Sequence, residues 1–185
     1  MIVWVNGAFG SGKTTLVGEV HQHWPEALVY DPEQVGYVLG DIVDVPSGDF
    51  QDLPIWRRQV VSMAVGLVAE YQRPILAPMT LVNPQYLGEI FGALEEAGVD
   101  IHHFFLKVSP EVLAQRIDAR SVTPHDPARD EGVRQWCREQ IDRCVAAVDT
   151  LPRDTIFLDG ERPREELARE VLTRIGVRSP RPARA

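Results

Sequence analysis

The sequence predicts an α/β fold, a five-stranded parallel sheet with helices on both faces, overhung by a flap and a lid. Three observations predict it. A glycine-rich loop, Gly7-Ala8-Phe9-Gly10-Ser11-Gly12-Lys13-Thr14, sits between a strand-like apolar run and a helix-like periodic run. Strand-like and helix-like segments then keep alternating along the chain, with short connections and no internal repeat. The 185 residues are 44% hydrophobic and 25% charged, an ordinary globular composition at a length that suggests one domain. That domain is expected over residues 1–177, with a disordered Pro- and Arg-rich tail at 178–185.

The first strand is Met1 to Val5, a buried apolar run. The loop after it fits G-x-x-x-x-G-K-[ST], and a helix from Thr14 to about Trp24 leaves it. Residues Gly7, Ala8, Phe9, Gly10, Ser11, Gly12, Lys13, Thr14 and Thr15 are therefore expected to bind a nucleoside triphosphate. The glycines let backbone N–H groups wrap a phosphate, and the helix N-terminus adds partial positive charge. Lys13 can reach the β- and γ-phosphates, and the Thr14 hydroxyl can hold Mg²⁺.

Ala27 to Tyr30 reads as the second strand, ended by Asp31-Pro32-Glu33. Asp31 thus falls at the carboxyl end of a parallel strand, where open α/β sheets place ligands. It is a candidate general base for an attacking hydroxyl, and equally a helix N-cap. Gly40 to Leu53 is rich in Asp, Gly and Pro and reads as a loop, part of a flap over about 33–53. A helix follows from Ile55 to about Gln72, with Trp56, Arg57 and Arg58 in its first turn. Arginine there is disfavoured by the helix dipole, so Arg57 or Arg58 is a candidate to face a ligand, with Arg57 and a stacking Trp56 as the candidates to hold the acceptor; the alternative is a solvated charge beside a core tryptophan.

The third strand is Pro74 to Thr80, with no acidic residue at its end to serve as a second Mg²⁺ ligand. A helix over Pro84–Ala97, capped by Gly98, leads to a fourth strand over Ile101–Val108. His102 and His103 point to opposite faces of that strand and read as structural. Helix Pro110 to Arg120 carries Arg116 and Arg120 on one face, bordering a Pro- and Gly-containing lid at about 121–133. Arginines so placed can neutralise charge during phosphoryl transfer. A helix from about Val133 to Asp149, a fifth strand over Thr155–Leu158 ending in Asp159-Gly160, and a helix over Arg164–Ile175 complete the chain. The order is the plan of small P-loop kinases.

The net charge of −8 argues against a nucleic-acid partner. Cys137 and Cys144, seven apart on one expected helix, would lie about 10 Å apart, too far for a disulfide. No signal peptide or membrane span is visible, so a cytoplasmic protein without membrane attachment is expected. The oligomeric state is left open, a dimer included.

Several stretches carry a resemblance: Trp4-Val5-Asn6-Gly7-Ala8-Phe9-Gly10-Ser11-Gly12-Lys13-Thr14, Tyr30-Asp31-Pro32-Glu33, Asp49-Phe50-Gln51, Trp56-Arg57, Pro78-Met79-Thr80 and Gln140-Ile141-Asp142-Arg143-Cys144. Over Met1 to about Thr150 the chain resembles the tunicamycin-resistance ATP-binding proteins, within the nucleoside and nucleotide kinase-like P-loop group. The resemblance implies ATP binding and a connection with tunicamycin, a uridine-containing nucleoside antibiotic. Three functions stay open. The first is a Mg²⁺- and ATP-dependent kinase acting on a nucleoside-like small molecule, using Lys13, Asp31, Arg116 and Arg120. The second is ATP-dependent sequestration of the drug without chemistry. The third is a house-keeping nucleoside, nucleotide or metabolite kinase. A nucleoside monophosphate acceptor would need more flap-side arginines than Arg57 and Arg58.

Overall fold

In a computed structural model that describes residues 1–177, five parallel strands form one sheet in the order β2-β3-β1-β4-β5. The central strand β1, Ile2–Gly7, is entirely buried and pairs with β3, Ile75–Pro78, and β4, Ile101–Lys107. The edges are β2, Leu28–Val29, and β5, Ile156–Asp159. β1 runs further than the apolar pattern suggests. Asn6 and Gly7 still pair with Phe105 and Leu106, so the strand delivers the chain straight into the loop.

The alternation of strand side chains decides the two cores. Ile2 and Trp4 of β1 face one side, with Trp56, Val60 and Ala64 of α3, Pro54–Tyr71, and Leu87, Ile90 and Leu94 of α4, Pro84–Glu96. Val3 and Val5 face the other, against Leu16, Val17 and Val20 of α1, Lys13–His23, and Leu167, Ala168 and Val171 of α8, Arg164–Arg174. A third apolar cluster joins Phe105 to Leu113 and Ile117 of α5, Pro110–Asp118, and to Cys137, Ile141 and Cys144. The result is a helix–sheet–helix sandwich whose strand carboxyl ends share one edge.

Three expected elements differ. The flap is not a plain loop: α2 spans Glu33–Gly40, and a short 3-10 turn spans Phe50–Asp52, with its Gln51 N–H capped by the Asp49 side chain. The lid is shorter than 121–133, because Asp126 caps a helix, α6, already begun at Pro127 and running to Glu139. The single helix expected from Val133 to Asp149 breaks at Gln140 into α6, α7 over Ile141–Ala146 and a 3-10 turn over Ala147–Thr150. Cys137 and Cys144 consequently lie on different helices; both are buried and free. No described helix is long and apolar enough to cross a membrane. The tail at 178–185 lies outside the described residues.

Candidate functional site

Backbone conformation at the loop is set by three glycines with positive φ, Gly7 at 146°, Gly10 at 80° and Gly12 at 97°. Gly7 is further constrained by space, since a Cβ there would come within 2.7 Å of the Ser11 hydroxyl. Gly12 caps α1 in the left-handed region, so the chain turns and the first N–H groups of α1 point at the loop's hollow without intrahelical partners. The Ser11 hydroxyl is buried without a hydrogen-bond partner. A buried orphan hydroxyl beside free amides and an ammonium is a donor set that fits a polyphosphate. Thr14 and Thr15 are exposed beside it.

Lys13 is the buried cation of the site, 7% exposed. Its ammonium donates to the Ala8 carbonyl at 2.9 Å and stands 5.5 Å from the Phe9 ring centre. Burial lowers its pKa to about 8, partly offset by the carboxylate of Glu33. Among the described residues no cluster of three or more His, Cys, Asp or Glu side chains could itself hold a metal ion. A Mg²⁺ ion would therefore be held by the Thr14 hydroxyl together with the phosphates it accompanies.

Asp31 lies just past β2. Its carboxylate accepts the N–H of Glu33, the first residue of α2, at 2.9 Å. Desolvation raises its pKa, the Glu33 N–H and the Lys13 charge acting against that rise. Asp31, Glu33 and Lys13 therefore share one electrostatic neighbourhood. Tyr37, on α2, donates its hydroxyl to Glu33 at 3.1 Å and extends the same wall.

The arginines separate. The Arg116 guanidinium donates to the carbonyls of Ser11 and Gly160, at 3.3 and 3.1 Å, beside a cleft that also touches Thr15 and Leu106. It stands on the β5 side of the phosphate loop, away from Asp31. Gly160 is pinned there by its N–H to the Lys107 carbonyl, and a Cβ would meet Val108 at 2.6 Å. Arg120 lies beyond the last turn of α5, not on a shared helical face with Arg116. It is exposed, forms no ion pair among the described residues, and its charge opposes protonation of Lys13. The loop after it is held by Asp130, whose carboxylate accepts the N–H groups of Val122 and Thr123 and pairs with Arg134. Those N–H groups hold Asp130 well below the usual carboxylate range.

Two expected acceptor residues are spoken for. Trp56 is fully buried, with its ring against Phe50 and its indole N–H on the Pro32 carbonyl, so no face remains for stacking on a ligand. Arg57 is 9% exposed; it donates to Glu89 and to the Gln51 carbonyl and lies 4.1 Å from the Tyr86 ring centre. Those partners, rather than a ligand, explain an arginine in the first turn of a helix.

Sequence reasoning missed a polar network under the loop. The Asn6 side-chain oxygen accepts the N–H groups of Gly7 and Leu81, and its amide nitrogen donates to the Leu81 carbonyl at 2.7 Å. The same nitrogen lies 3.2 Å from His103, whose other ring nitrogen lies 2.9 Å from the Thr155 hydroxyl. With Asn6 donating to Nε2, the ring is neutral and its Nδ1–H donates to Thr155. Burial brings the His103 pKa down to about 4. The available signal was a polar residue, Asn6, inside an apolar strand.

No curated protein sequence matches the chain. Among solved structures, the chain is similar to the tunicamycin resistance protein of Deinococcus radiodurans, at 22% identity over 98% of both chains with a TM-score of 0.74. It is also similar to a sugar kinase from Janibacter, at 21% identity over 95% of this chain and 94% of that one, TM-score 0.69. A gluconokinase from Sinorhizobium meliloti is similar at 15% identity over 94% and 90%, TM-score 0.60. These likenesses establish the fold as that of the P-loop kinases. The sequence pattern of the AAA domain matches residues 2–144, and the chain belongs to that family.

Proposed function

We propose that this protein is an ATP-dependent small-molecule kinase that phosphorylates a hydroxyl of a nucleoside-type compound such as tunicamycin, and so confers resistance to it in the cytoplasm. The observation that carries the reading is the neighbourhood of Asp31 and Lys13: a half-buried carboxylate of raised pKa within the field of the phosphate-loop ammonium. A general base and a phosphate-binding cation placed together at the strand carboxyl ends are what phosphoryl transfer to an alcohol needs. The likeness to a tunicamycin resistance protein and to sugar kinases supports a small hydroxylated acceptor.

In this reading Asp31 takes the proton from the acceptor hydroxyl as its oxygen bonds to the γ-phosphorus. The bond from that phosphorus to the bridging oxygen breaks, and ADP leaves. Lys13, the loop amides and the Ser11 hydroxyl hold the phosphate oxygens. Thr14 would hold a Mg²⁺ ion, which supplies charge neutralisation when bound. Arg116, beside Ser11 and Gly160, serves the nucleotide side, and Arg120 is free to swing toward the transferring group. Trp56 and Arg57 support this site from beneath rather than touching the acceptor.

Sequestration without chemistry is the second reading. It is favoured by the end of β3, where no acidic residue stands and the Thr80 hydroxyl is committed to the Gly7 carbonyl. Incubating purified protein with Mg²⁺, ATP and tunicamycin, followed by mass spectrometry of the drug, separates the two. A stoichiometric gain of one phosphate supports the kinase. An unmodified drug whose binding tightens with ATP supports sequestration. Asp31→Asn should reduce turnover at least about 100-fold while ATP affinity stays within about threefold, as read by titration calorimetry; unchanged turnover would remove Asp31 from the chemistry.

A further inference from the structure

The first glycine of the phosphate loop is held on both of its polar groups. Its N–H goes to the Asn6 side chain, and its carbonyl accepts the Thr80 hydroxyl at 2.8 Å. Thr80 is fully buried, and its own carbonyl accepts the side-chain amide of Gln51 at 3.0 Å. Gln51, 4% exposed, belongs to the 3-10 turn on the acceptor side. That turn is fixed in its own right. Asp49 accepts the Gln51 N–H, Arg57 donates to the Gln51 carbonyl, and Phe50 packs so closely on Gly36 that a Cβ there would meet the ring at 2.5 Å. A continuous buried hydrogen-bonded path thus runs from the acceptor-side turn, through Gln51 and Thr80, to the carbonyl of Gly7.

The direction of that carbonyl has a consequence. A trans peptide is planar, so fixing the Gly7 C=O also fixes the Ala8 N–H on the opposite side of the same plane. A glycine with φ of 146° has little steric preference of its own to hold that plane. The hydroxyl of Thr80 supplies what the backbone lacks.

We propose that Thr80 and Gln51 are positioning residues that orient the first peptide of the phosphate loop and tie it to the acceptor-side turn. Ordering of the loop by a triphosphate is thereby transmitted to residues 49–53 before any acceptor arrives. The proposal rests on the phosphate loop binding ATP, and not on tunicamycin being the acceptor.

The test is hydrogen exchange of the segment 49–53 in the full chain, with and without the non-hydrolysable ATP analogue AMPPNP. Wild type should show at least about fivefold slower exchange there when AMPPNP is bound. Thr80→Val keeps the side-chain shape and removes only the hydroxyl. It should still bind AMPPNP yet lose the slowing, and Thr80→Ser should restore it. Gln51→Met, which breaks the path one bond further out, should also lose the slowing while leaving nucleotide affinity within about threefold. With an acceptor that wild type phosphorylates, Thr80→Val should lower kcat at least about tenfold with the acceptor KM within about threefold. Slowing that persists in Thr80→Val or Gln51→Met, or none in AMPPNP-bound wild type, overturns the proposal. Failure of tunicamycin to gain phosphate would instead overturn the acceptor assignment and leave the exchange result standing.

Discussion

At Lys13, burial and charge act on one ammonium in opposite directions. Desolvation brings its pKa to about 8 even with Glu33 nearby. A bound triphosphate brings negative charge and favours the protonated form, so the complex holds the proton more tightly than the free protein does. The sign follows: affinity for AMPPNP should be constant below about pH 7 and fall as pH rises through about 8. The expected loss between pH 7 and 9 is roughly 3- to 10-fold, checked by calorimetric titration at the two values. Lys13→Met should bind more weakly and show a flat profile. Asp31 shifts the other way, its carboxyl raised by desolvation, so turnover should decline with acidification sooner than for an exposed aspartate. The placement of these two residues, and the loop around Lys13, was legible in the sequence because a motif and a strand end specify it. Trp56 and Arg57 were misjudged because their first-turn placement was read without their partners. Glu89 and Tyr86, which occupy Arg57 together with the nearby Gln51 carbonyl, lie on α4 and are brought in only by packing.

Among the elements, α2 and the turn over Phe50–Asp52 pack together on the Asp31 side, and their contact is unusually close at Gly36. Glycine inside a helix ordinarily costs up to about 1 kcal/mol relative to alanine. At Gly36 that gain is opposed by overpacking against Phe50, which typically costs about 1–3 kcal/mol. Gly36→Ala should therefore lower the unfolding free energy by about 1–2 kcal/mol. Gly88→Ala, in α4 with no atom within 4 Å of the new Cβ, should raise it by up to about 1 kcal/mol. Chemical denaturation of both variants checks the pair, and the same sign for both would refute the packing argument. The break at Gln140 and the early start of α6 were invisible to periodicity. The Asp126-Pro127 start signal was present, yet the surrounding proline, glycine and mixed charges read as a loop. The Asp130 carboxylate, which draws the Val122–Thr123 backbone onto α6, is a tertiary feature with no local pattern.

Across the whole molecule, five strands, their parallel sense and both helical layers followed from the alternation of segments, because βαβ connections leave few other arrangements. The Asn6–His103–Thr155 path joins β1 and β4 to the residue just before β5 and sets a whole-chain property. The pKa of His103 in the fold, about 4, lies below the ordinary 6.5, with Asp154 the one charge working against the drop. The folded state therefore binds this proton less readily than the unfolded chain. Stability from this group is full above about pH 6.5 and is lost as pH falls toward 4, amounting to about 3 kcal/mol when complete. Thermal unfolding of wild type and His103→Gln over that range should show the steeper acid slope in wild type, and parallel slopes would refute it. The sheet also holds its two ligand sides unequally. The glycine loop continues the fully buried central strand, whereas the Asp31 side hangs from a two-residue edge strand whose Val29 is half exposed. Substitutions on that side disturb few ladder bonds, although Tyr30 and Leu39 still belong to the core. In engineering terms the phosphate-loop half is the chassis and the Asp31 half a fitting hung on its edge, one whose replacement over residues 30–53 must rebuild the Tyr30 and Leu39 core contacts and the Gln51 bond to Thr80.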